Sequence, residues 1–428
     1  MAMTAIHAVP ANTGGGGSSN GGLWTPPAGF KSARTSTAGM VVGSIPIGTG
    51  SSNGCTADSK RDASGPLGSG KHPADYVRIR TLGTGTFARV CLVRRAHPRD
   101  DAEAQQVFAL KMLRKTAVIK LKQIDHVRHE RQILQDVAGH PFITTLQASF
   151  SDHDFLYLLL DYVPGGELFS YLRKFRRFDE ATARFYAAEI VLVLEYLHEQ
   201  QDGVAYRDLK PENLLLDAAG HVKLVDFGFA KRLGGGRLHQ QKKQAAASGD
   251  VPMEDAIATA DPAIETYTLC GTPEYIAPEV IQNMGHTTAV DWWALGILVY
   301  EFLTGYPPFW HQNPLEIYRQ ILEKPVVFPH DPVISPAAQD IVRQLCTVDR
   351  SLRLGNISGG AAQVRAHPFF AGVDWDALYE RRQEGPIQPR VRFNGDAQCF
   401  DIYPENDVDF EPYTDDMAAQ YDKFFIDF

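Results

Sequence analysis

The sequence predicts an α+β fold with two lobes, a small five-stranded antiparallel sheet with one long helix followed by a larger, mostly helical lobe. Three observations favour this fold. Five short strand-like segments, the first two joined by a glycine turn, follow one another between residues 76 and 160. Apolar residues at helical spacing, such as Ile190, Leu194 and Leu197, dominate further on. The 428 residues with 44% hydrophobic content provide enough core for one two-lobed domain with tails.

The net charge and the cysteine spacing indicate which partners and which cellular compartment suit this protein. The formal charge of −9 argues against general affinity for nucleic acid and suits partners that are locally basic. The five cysteines lack the paired spacing of a zinc site or a redox motif, which indicates a reducing compartment. These cysteines are Cys55, Cys91, Cys270, Cys346 and Cys399.

The sequence gives no indication of membrane attachment. Met1-Ala2-Met3 is not a myristoylation start, which requires Gly second, and no basic region precedes an apolar core. The longest apolar run, residues 289–305, contains Asp291 and Glu301 and is short for a bilayer span. We expect a protein without a membrane anchor in the cytoplasm, and leave the nucleus open as a second location.

Residues 1–75 are predicted to be a disordered tail, because Gly, Ser, Thr, Ala and Pro dominate them without apolar periodicity. The first strand is expected from Tyr76, where Val77 and Ile79 alternate with arginines. A glycine turn follows, and its backbone amides could approach phosphate oxygens because glycine has no Cβ. Its residues are Leu82, Gly83, Thr84, Gly85, Thr86, Phe87, Ala88, Arg89 and Val90.

Lys111 emerges at the end of the apolar strand 107–111. A single lysine on a strand is often a surface residue with a buried stem. Here a helical pattern over residues 121–134 follows and carries Glu130, which could pair with Lys111. Two further strands are predicted at residues 143–150 and 155–160.

The strongest chemical signal is the loop that contains Asp208, Lys210 and Asn213, followed by Asp226-Phe227-Gly228. Phosphoryl transfer needs a carboxylate to orient a hydroxyl, a cation on the migrating group and oxygen ligands for Mg²⁺. Asp208 and Lys210 would fill the first two roles as catalytic residues, and Asn213 and Asp226 would hold the metal. Each residue alone is common in loops, whereas this spaced combination is specific.

This combination resembles the catalytic loop and the Mg²⁺ loop of eukaryotic protein kinases. The block at residues 266–279 resembles the cAMP-dependent catalytic subunits, within the AGC group, more closely than other kinases. The resemblance implies a kinase domain at residues 76–370 and an AGC-type tail at 371–428 that wraps the N-terminal lobe. It is interrupted by a low-complexity insert in the activation loop, residues 233–265.

The resemblance implies that the chain binds ATP. The turn at residues 82–90 and Lys111 would position the phosphates, and the segment at residues 160–167 would hold adenine through its backbone. Ala88 stands where the family usually has a third glycine, which should stiffen the turn slightly. The further implied nucleotide-contacting residues are Glu130, Asp161, Val163, Glu167 and Phe400.

The resemblance also implies a substrate class, namely Ser and Thr in proteins with arginine two and three positions before the target. Carboxylates pair with guanidinium groups in bidentate geometry, which suits this selection. The matching glutamates are Glu167, Glu212 and Glu301. The residues that would shape an apolar pocket for the residue after the target are Leu269, Pro273 and Ile276.

Activation is implied to require phosphorylation of Thr268, by an upstream kinase or by the chain itself. His126, Arg207 and Lys231 match the cations that receive this phosphate. A cyclic-nucleotide-binding regulatory subunit is the implied partner. Tyr267 and Thr288 replace a Trp and a Lys that the family has near that interface, which makes regulatory binding less secure than catalysis.

Three expectations concern packing, and two alternatives stay open. Asp291 is expected to fix the catalytic-loop backbone, and Arg353 to pair with Glu279. The terminal Phe425 and Phe428 are expected to fill a pocket on the N-terminal lobe. The alternatives are another AGC kinase and, from a different class, a scaffold with a kinase fold but no catalysis.

Overall fold

The computed structural model describes residues 72–85, 87–234, 265–405 and 411–428. Its strands are β1 (Tyr76–Thr84), β2 (Ala88–Arg95), β3 (Val107–Arg114), β4 (Leu146–Ser151), β5 (Phe155–Asp161), β6 (Val204–Ala205), β7 (Leu214–Leu216), β8 (Val222–Leu224) and β9 (Lys231–Arg232). Its helices are α1 (Asp101–Gln105), α2 (Lys115–Lys120), α3 (Ile124–Asp136), α4 (Leu168–Phe175), α5 (Glu180–Glu195), α6 (Pro278–Ile281), α7 (Ala289–Thr304), α8 (Pro314–Glu323), α9 (Pro336–Leu345), α10 (Gly360–Arg365), α11 (Trp375–Tyr379) and α12 (Asp415–Tyr421).

The N-terminal lobe is built on one five-stranded sheet in the order β1-β2-β3-β5-β4, with every neighbouring pair antiparallel. The predicted α+β fold is thereby confirmed. Two boundaries differ from expectation. Strand β4 begins at Leu146, because Ile143 pairs instead with Leu224 of β8. The helix predicted at residues 121–134 corresponds to α3, which begins only at Ile124, because Lys122 adopts a positive φ of 55° that a helix does not accommodate.

Ordered structure starts before the predicted Tyr76. Pro73–Asp75 forms a short 3-10 helix capped by His72, whose Nδ1 accepts a hydrogen bond from the Ala74 amide. The Asp75 carboxylate accepts in turn from the His72 amide at 3.2 Å. These two bonds satisfy donors that a helix start would leave unpaired. The rest of the predicted tail, residues 1–71, lies outside the described part of the chain.

The C-terminal lobe is organised around α7, whose residues are all buried. Such a helix has no polar face because neighbouring elements cover it on all sides. Gly296 permits the close crossing of α9, since a Cβ there would lie 2.6 Å from Cys346 Sγ. Helix α5 packs against α7 as well, so the two long helices form the centre of the lobe.

The C-terminal tail returns to the N-terminal lobe. Phe425 is 3% exposed, and the Lys115 ammonium of α2 lies 5.6 Å from its ring centroid. Phe428 is half-buried, with the Arg131 guanidinium of α3 at 5.7 Å from its ring. The expected docking of both terminal aromatic residues is therefore present. Within the described ranges, no helix combines the length and apolar character needed to cross a membrane.

The predicted insert at residues 233–265 has packed residues at both ends. Leu233 is buried, and its amide donates to the Gly203 carbonyl at 3.0 Å. At the other end Glu265 pairs with Arg350 at 2.8 Å. The two boundary residues thus belong to the folded domain, and residues 235–264 lie outside the described part of the chain.

Candidate active site

Asp291 of α7 holds the backbone of the predicted catalytic loop, residues 206–213, in place. Its carboxylate accepts hydrogen bonds from the backbone amides of Tyr206 and Arg207, each at 2.8 Å, and lies 2.8 Å from His198 Nε2. Arg207 has a positive φ of 68°, an unfavourable conformation for a side-chain-bearing residue. The bonds to Asp291 stabilise this conformation, so the expected role of Asp291 is confirmed.

Asp208 lies at the centre of a polar network above this loop. Lys210 Nζ lies 2.9 Å from its carboxylate, and the Asn213 side-chain amide donates to the same oxygen at 2.8 Å. Burial raises the pKa of Asp208, while the ammonium of Lys210 partly opposes the rise. These hydrogen bonds restrict the rotation of the Asp208 side chain.

Thr272 joins this network although the sequence analysis did not single it out. Its hydroxyl accepts from Lys210 Nζ at 3.0 Å and lies 3.4 Å from Asp208 Oδ1. Thr272 belongs to the conspicuous Gly271-Thr272-Pro273 stretch, which is the only signal that could have indicated it. It connects the catalytic loop to the segment that follows the insert.

Lys111 connects the two lobes. Its ammonium lies 2.5 Å from Glu130 Oε1 of α3 and 3.1 Å from Asp226 Oδ1. Burial alone would lower the pKa of Lys111, but the carboxylates of Asp226 and Glu130 reverse this effect and hold the pKa above its usual value. Lys111 in turn lowers the pKa of Asp226. The lysine and Asp226 are therefore charged at neutral pH.

The side-chain oxygens of Asp226 and Asn213 suit a magnesium ion that binds together with a nucleotide. No group of three or more His, Cys, Asp or Glu side chains within the described residues could hold a metal. The Asp226 side chain is nevertheless 53% exposed, and Asn213 is oriented by its bonds to Asp208. Mg²⁺ commonly takes one or two protein oxygens and completes its shell with phosphate and water. The residues present fit this pattern.

The cleft that we expect to hold the nucleotide has an apolar wall shared by the sheet and the tail. Leu82 and Ala109 are buried in one cluster, and Phe400 packs against it, with its ring centroid 5.9 Å from that of Tyr162. Val163 is buried, and the Asp161 carboxylate accepts from Gln147 at 2.6 Å. The tail residue Phe400 thus lies beside the segment expected to hold adenine.

The glycine turn leaves open space beside it. A Cβ at Gly83 would meet no atom within 4 Å, and the Gly85 amide donates to the Ala88 carbonyl at 2.7 Å. Phe87 and Ala88 pack partly against the main core. Arg89 pairs in the ladder with Met112, and Thr86 lies outside the described residues. The turn therefore has room for phosphate oxygens near Gly83.

Two of the three predicted substrate glutamates lie close together. Glu301 is 3% exposed and pairs with Arg173 and with the Tyr275 hydroxyl. Burial raises its pKa to about 7, Arg173 opposes the rise, and Glu212 adds to it. Glu167 is half-buried and lies immediately before α4, whereas Arg173 is in the last turn of that helix.

Arg173 and Tyr275 were not predicted from the sequence. Both are separated from Glu301 by long stretches of chain, and only the fold brings them together. The residues predicted to form the apolar pocket differ in exposure. Leu269 is 59% exposed, Pro273 is half-buried, and Ile276 is 5% exposed.

Thr268 is exposed beside a group of cations. Lys231 Nζ donates to the Thr266 hydroxyl at 3.1 Å, and that hydroxyl lies 3.5 Å from the hydroxyl of Thr268. Arg207 Nη1 is buried without a hydrogen-bond partner in the described structure. Burial and the neighbouring positive charge of Arg207 lower the pKa of His126. Arg207, Lys231 and His126 therefore lie close to one another near Thr268, although the lowered pKa of His126 disfavours its charged form.

A second ion pair lies deep in the C-terminal lobe. Arg353 donates to both oxygens of Glu279, at 2.7 and 2.9 Å, and to the carbonyls of Thr347 and Ala289. Arg353 is fully buried. A buried bidentate pair with further backbone bonds satisfies the charges that burial would otherwise penalise. The predicted pairing of Arg353 with Glu279 is confirmed, and it holds α6 against the rest of the lobe.

The sequence was compared with protein-family profiles and with known proteins. The sequence profile of the protein kinase domain matches residues 76–370. The chain is 46% identical over 335 residues to the cAMP-dependent protein kinase catalytic subunit PRKX of Homo sapiens, covering 78% of this chain and 82% of that protein. It is 42% identical over 356 residues to cAMP-dependent protein kinase type 3 of Saccharomyces cerevisiae, covering 82% and 79%.

Other relatives are longer. The cAMP-dependent protein kinase catalytic subunit of Dictyostelium discoideum is 42% identical over 363 residues, which are 85% of this chain and 50% of that protein. The chain also spans about half the length of a relative in Drosophila melanogaster. Because the profile covers most of the chain and several relatives align over most of both sequences, this chain belongs to the protein kinase family, in the AGC group beside the cAMP-dependent catalytic subunits.

Proposed function

We propose that this chain is an ATP-dependent protein kinase that transfers the γ-phosphoryl group of ATP to Ser and Thr hydroxyls of proteins. The observation that carries the proposal is the convergence of Asp208 and Lys210 with the Lys111–Asp226 ion pair. A scaffold without catalysis would have no need for this combination of charges in a cleft. Family membership and the site geometry support the same activity.

Asp208 would accept a hydrogen bond from the substrate hydroxyl and then its proton. Burial raises the pKa of Asp208, which makes it a better proton acceptor than an ordinary aspartate. Lys210, held between Asp208 and Thr272, would direct its positive charge toward the migrating phosphoryl group. Such preorganised charge is the main source of rate enhancement in phosphoryl transfer.

Lys111 would hold the phosphates of ATP in place. Glu130 orients its ammonium, because the two groups are 2.5 Å apart in a buried setting. Asp226 and Asn213 would hold Mg²⁺, which when bound neutralises phosphate charge. Asp226 is suited to this because its pKa is lowered, so it stays a carboxylate.

Substrate selection is proposed to depend on arginines before the target residue. Glu212 and Glu301 supply two carboxylates in one region, and Glu167 supplies a third at the start of α4. A bidentate carboxylate–guanidinium pair in a partly dry groove contributes about 1.5–3 kcal/mol. Leu269, Pro273 and Ile276 would contact the residue after the target.

Regulation is proposed at Thr268. A phosphate there would meet Arg207, which has an unpaired buried Nη1, together with Lys231 and His126. It could form one to three charge-assisted hydrogen bonds, each about 1.5–3 kcal/mol. An upstream kinase or the chain itself would supply this phosphate. The proposed partner is a cyclic-nucleotide-binding regulatory subunit, and the proposed location is the cytoplasm, with the nucleus as a second compartment.

The deciding experiment measures transfer of radiolabelled phosphate from ATP to an Arg-Arg-x-Ser peptide by Thr268-phosphorylated protein. Transfer should require Mg²⁺, should disappear when Ala replaces Ser, and should weaken when Gln replaces both arginines. A regulatory subunit should suppress the rate, and cAMP should restore it. Failure of the phosphorylated protein to transfer phosphate would refute the proposed activity, and a rate unaffected by the regulatory subunit would refute the proposed partner.

A further inference from the structure

A groove outside the active site lies between α4, the start of α5 and the tail segment 386–390. We call it the elbow groove, and its volume is about 740 Å³. This volume is within the range of pockets that bind ligands. The residues that define it are Tyr171, Lys174, Phe175, Arg177, Ile387 and Arg390.

The elbow groove is positively charged. Lys174, Arg177 and Arg390 form no hydrogen bond or ion pair through their side chains with any other residue that the structure describes. The one carboxylate in its lining, Asp179, is engaged as the cap of α5 and accepts from the Thr182 amide at 2.7 Å. Three cations that have no counterion among the described residues contrast with the net charge of −9 for the whole chain.

The groove is preformed on the α4 side. Arg176, between α4 and α5, has a positive φ of 69°. Its carbonyl oxygen packs closely against Gly305, since a Cβ at Gly305 would lie only 2.0 Å from that oxygen. The Phe178 amide donates to the Phe302 carbonyl at 2.7 Å. These contacts fix the turn against α7. Phe175 remains 50% exposed at the rim, and the Lys174 ammonium lies 5.7 Å from its ring centroid.

The tail forms the other wall and is also fixed. The Ile387 amide donates to the Tyr186 hydroxyl at 3.3 Å, and the Gly385 amide donates to the Ala219 carbonyl at 2.9 Å. The Tyr171 hydroxyl donates to the Gly165 carbonyl at 2.8 Å, so this lining residue of α4 is also held in place. A preformed groove loses little conformational entropy when a peptide binds.

We propose that the elbow groove binds an acidic peptide segment of protein substrates, at a distance from the basic motif around the phosphorylated residue. Carboxylates would pair with Lys174, Arg177 and Arg390, and an apolar side chain would contact Phe175. The occupant is inferred from charge complementarity. The proposal rests on the proposed kinase function, because it assigns a docking role to a surface beside the substrate groove.

Helix α4 separates two surfaces of opposite charge. Arg173 points to Glu301 on the side of the substrate glutamates, whereas the next residue, Lys174, borders the elbow groove. A substrate with a basic motif and an acidic segment would therefore be repelled if the two parts exchanged places. This arrangement would select both the composition and the direction of the bound chain.

The test uses full-length protein and fluorescence anisotropy with a labelled Asp-Glu-Asp-Phe-Glu-Asp peptide. Arg177→Glu and Arg390→Glu, measured separately, should each weaken binding at least about tenfold. The matched control is Lys324→Glu, which reverses an exposed cation outside the groove and should leave binding within about twofold. Equal effects of all three variants, or equal binding of an Asn-Gln-Asn-Phe-Gln-Asn peptide, would overturn the proposal.

Two further readouts separate this proposal from the kinase function. The short Arg-Arg-x-Ser peptide should be phosphorylated at the same kcat/KM by parent and Arg177→Glu, since it does not reach the groove. If the parent fails to phosphorylate it while acidic peptide still binds, the kinase function fails and the binding site stands. If a single-stranded oligonucleotide displaces the acidic peptide at lower concentration than unlabelled peptide does, the groove is a general anion surface and the docking proposal is wrong.

Discussion

At the residue scale, Asp208 shows how neighbours determine chemistry. Its carboxylate is held by Lys210 and Asn213, so an amide of the same shape can replace it without loss of packing. Asp208→Asn should keep ATP binding and reduce phosphoryl transfer about 10²–10⁴-fold, because the amide cannot accept a proton. Radiolabelled transfer and nucleotide titration measure the two effects. Asp374→Asn, an exposed helix cap, is the control, and near-normal turnover of Asp208→Asn would contradict its role.

Glu301 leads to a pH prediction. Its pKa is raised to about 7 by burial, so the carboxylate is charged above that pH and neutral below it. Lowering the pH from about 8 to about 6 should therefore raise the KM for an Arg-Arg-x-Ser peptide more than the KM for ATP. In Glu301→Gln the peptide KM should be high and nearly independent of pH.

The control for this pH series is Glu323→Gln, since Glu323 is exposed on α8. It should keep the pH dependence of the parent. Melting temperatures of both variants are needed, because Glu301→Gln leaves Arg173 with a weaker partner. A folded Glu301→Gln protein with the pH profile of the parent would show that another group controls peptide binding.

Sequence reasoning found residues that are defined by local spacing. Asp208, Lys210 and Asn213 lie within six residues of one loop, so their convergence depends on short-range geometry. Thr272 and Arg173 could not be found in this way, because each reaches its partner only through tertiary packing. Their residue types are also common on surfaces, so composition provides no signal.

At the element scale, the tail and helices α2 and α3 form one packed unit. Phe425 is 3% exposed there, with Lys115 over its ring. Phe425→Ala should destabilise the protein by about 3 kcal/mol through the lost burial and the cavity left behind. Activity should fall with stability, because α3 carries Glu130, the partner of Lys111.

Ile426 provides the matched control, since it is adjacent and 78% exposed. Ile426→Ala should leave the melting temperature and turnover unchanged. Thermal unfolding by circular dichroism and initial-rate assays provide the two readouts. Equal behaviour of Phe425→Ala and Ile426→Ala would mean that the tail does not contribute through this contact.

Element boundaries were less predictable than element types. The five strands were expected from alternating and apolar segments, and all five are present. The later start of α3, at Ile124, was missed because nothing in the residue type of Lys122 indicates its positive φ. The early start at Pro73 was missed for a related reason, since the His72 cap is a local polar interaction in a segment without apolar periodicity.

At the scale of the whole molecule, the active site depends on contacts between distant parts of the chain. Lys111 of β3 meets Asp226 beyond β8, which joins the lobes across the cleft. The tail adds a second connection, because the Glu405 carboxylate accepts from the Thr81 amide at 2.6 Å. The relative position of the lobes is therefore stabilised both within the cleft and from outside it.

Deleting the insert in the activation loop would show whether the active site depends on these additional residues. Its ends are anchored at Leu233 and Glu265, and the composition of residues 235–260 offers no core. Lengthening a loop about threefold adds only about 1 kcal/mol of closure entropy. The charge-assisted hydrogen bonds of a phosphate on Thr268, about 1.5–3 kcal/mol each, should exceed this entropic cost. Deletion of residues 235–260 should thus leave the phosphorylated enzyme within a few-fold of the parent.

The unphosphorylated protein should respond differently to the same deletion, because it lacks the phosphate that would anchor the loop to Arg207 and Lys231. There the deletion should change the rate at which another kinase phosphorylates Thr268. Initial rates of parent and deletion protein are compared after intact mass has established stoichiometric phosphorylation. A loss of about a hundredfold or more in the phosphorylated form, equivalent to about 2.7 kcal/mol, would exceed the entropy of any loop of this length. The insert would then have to be a structured part of the active site.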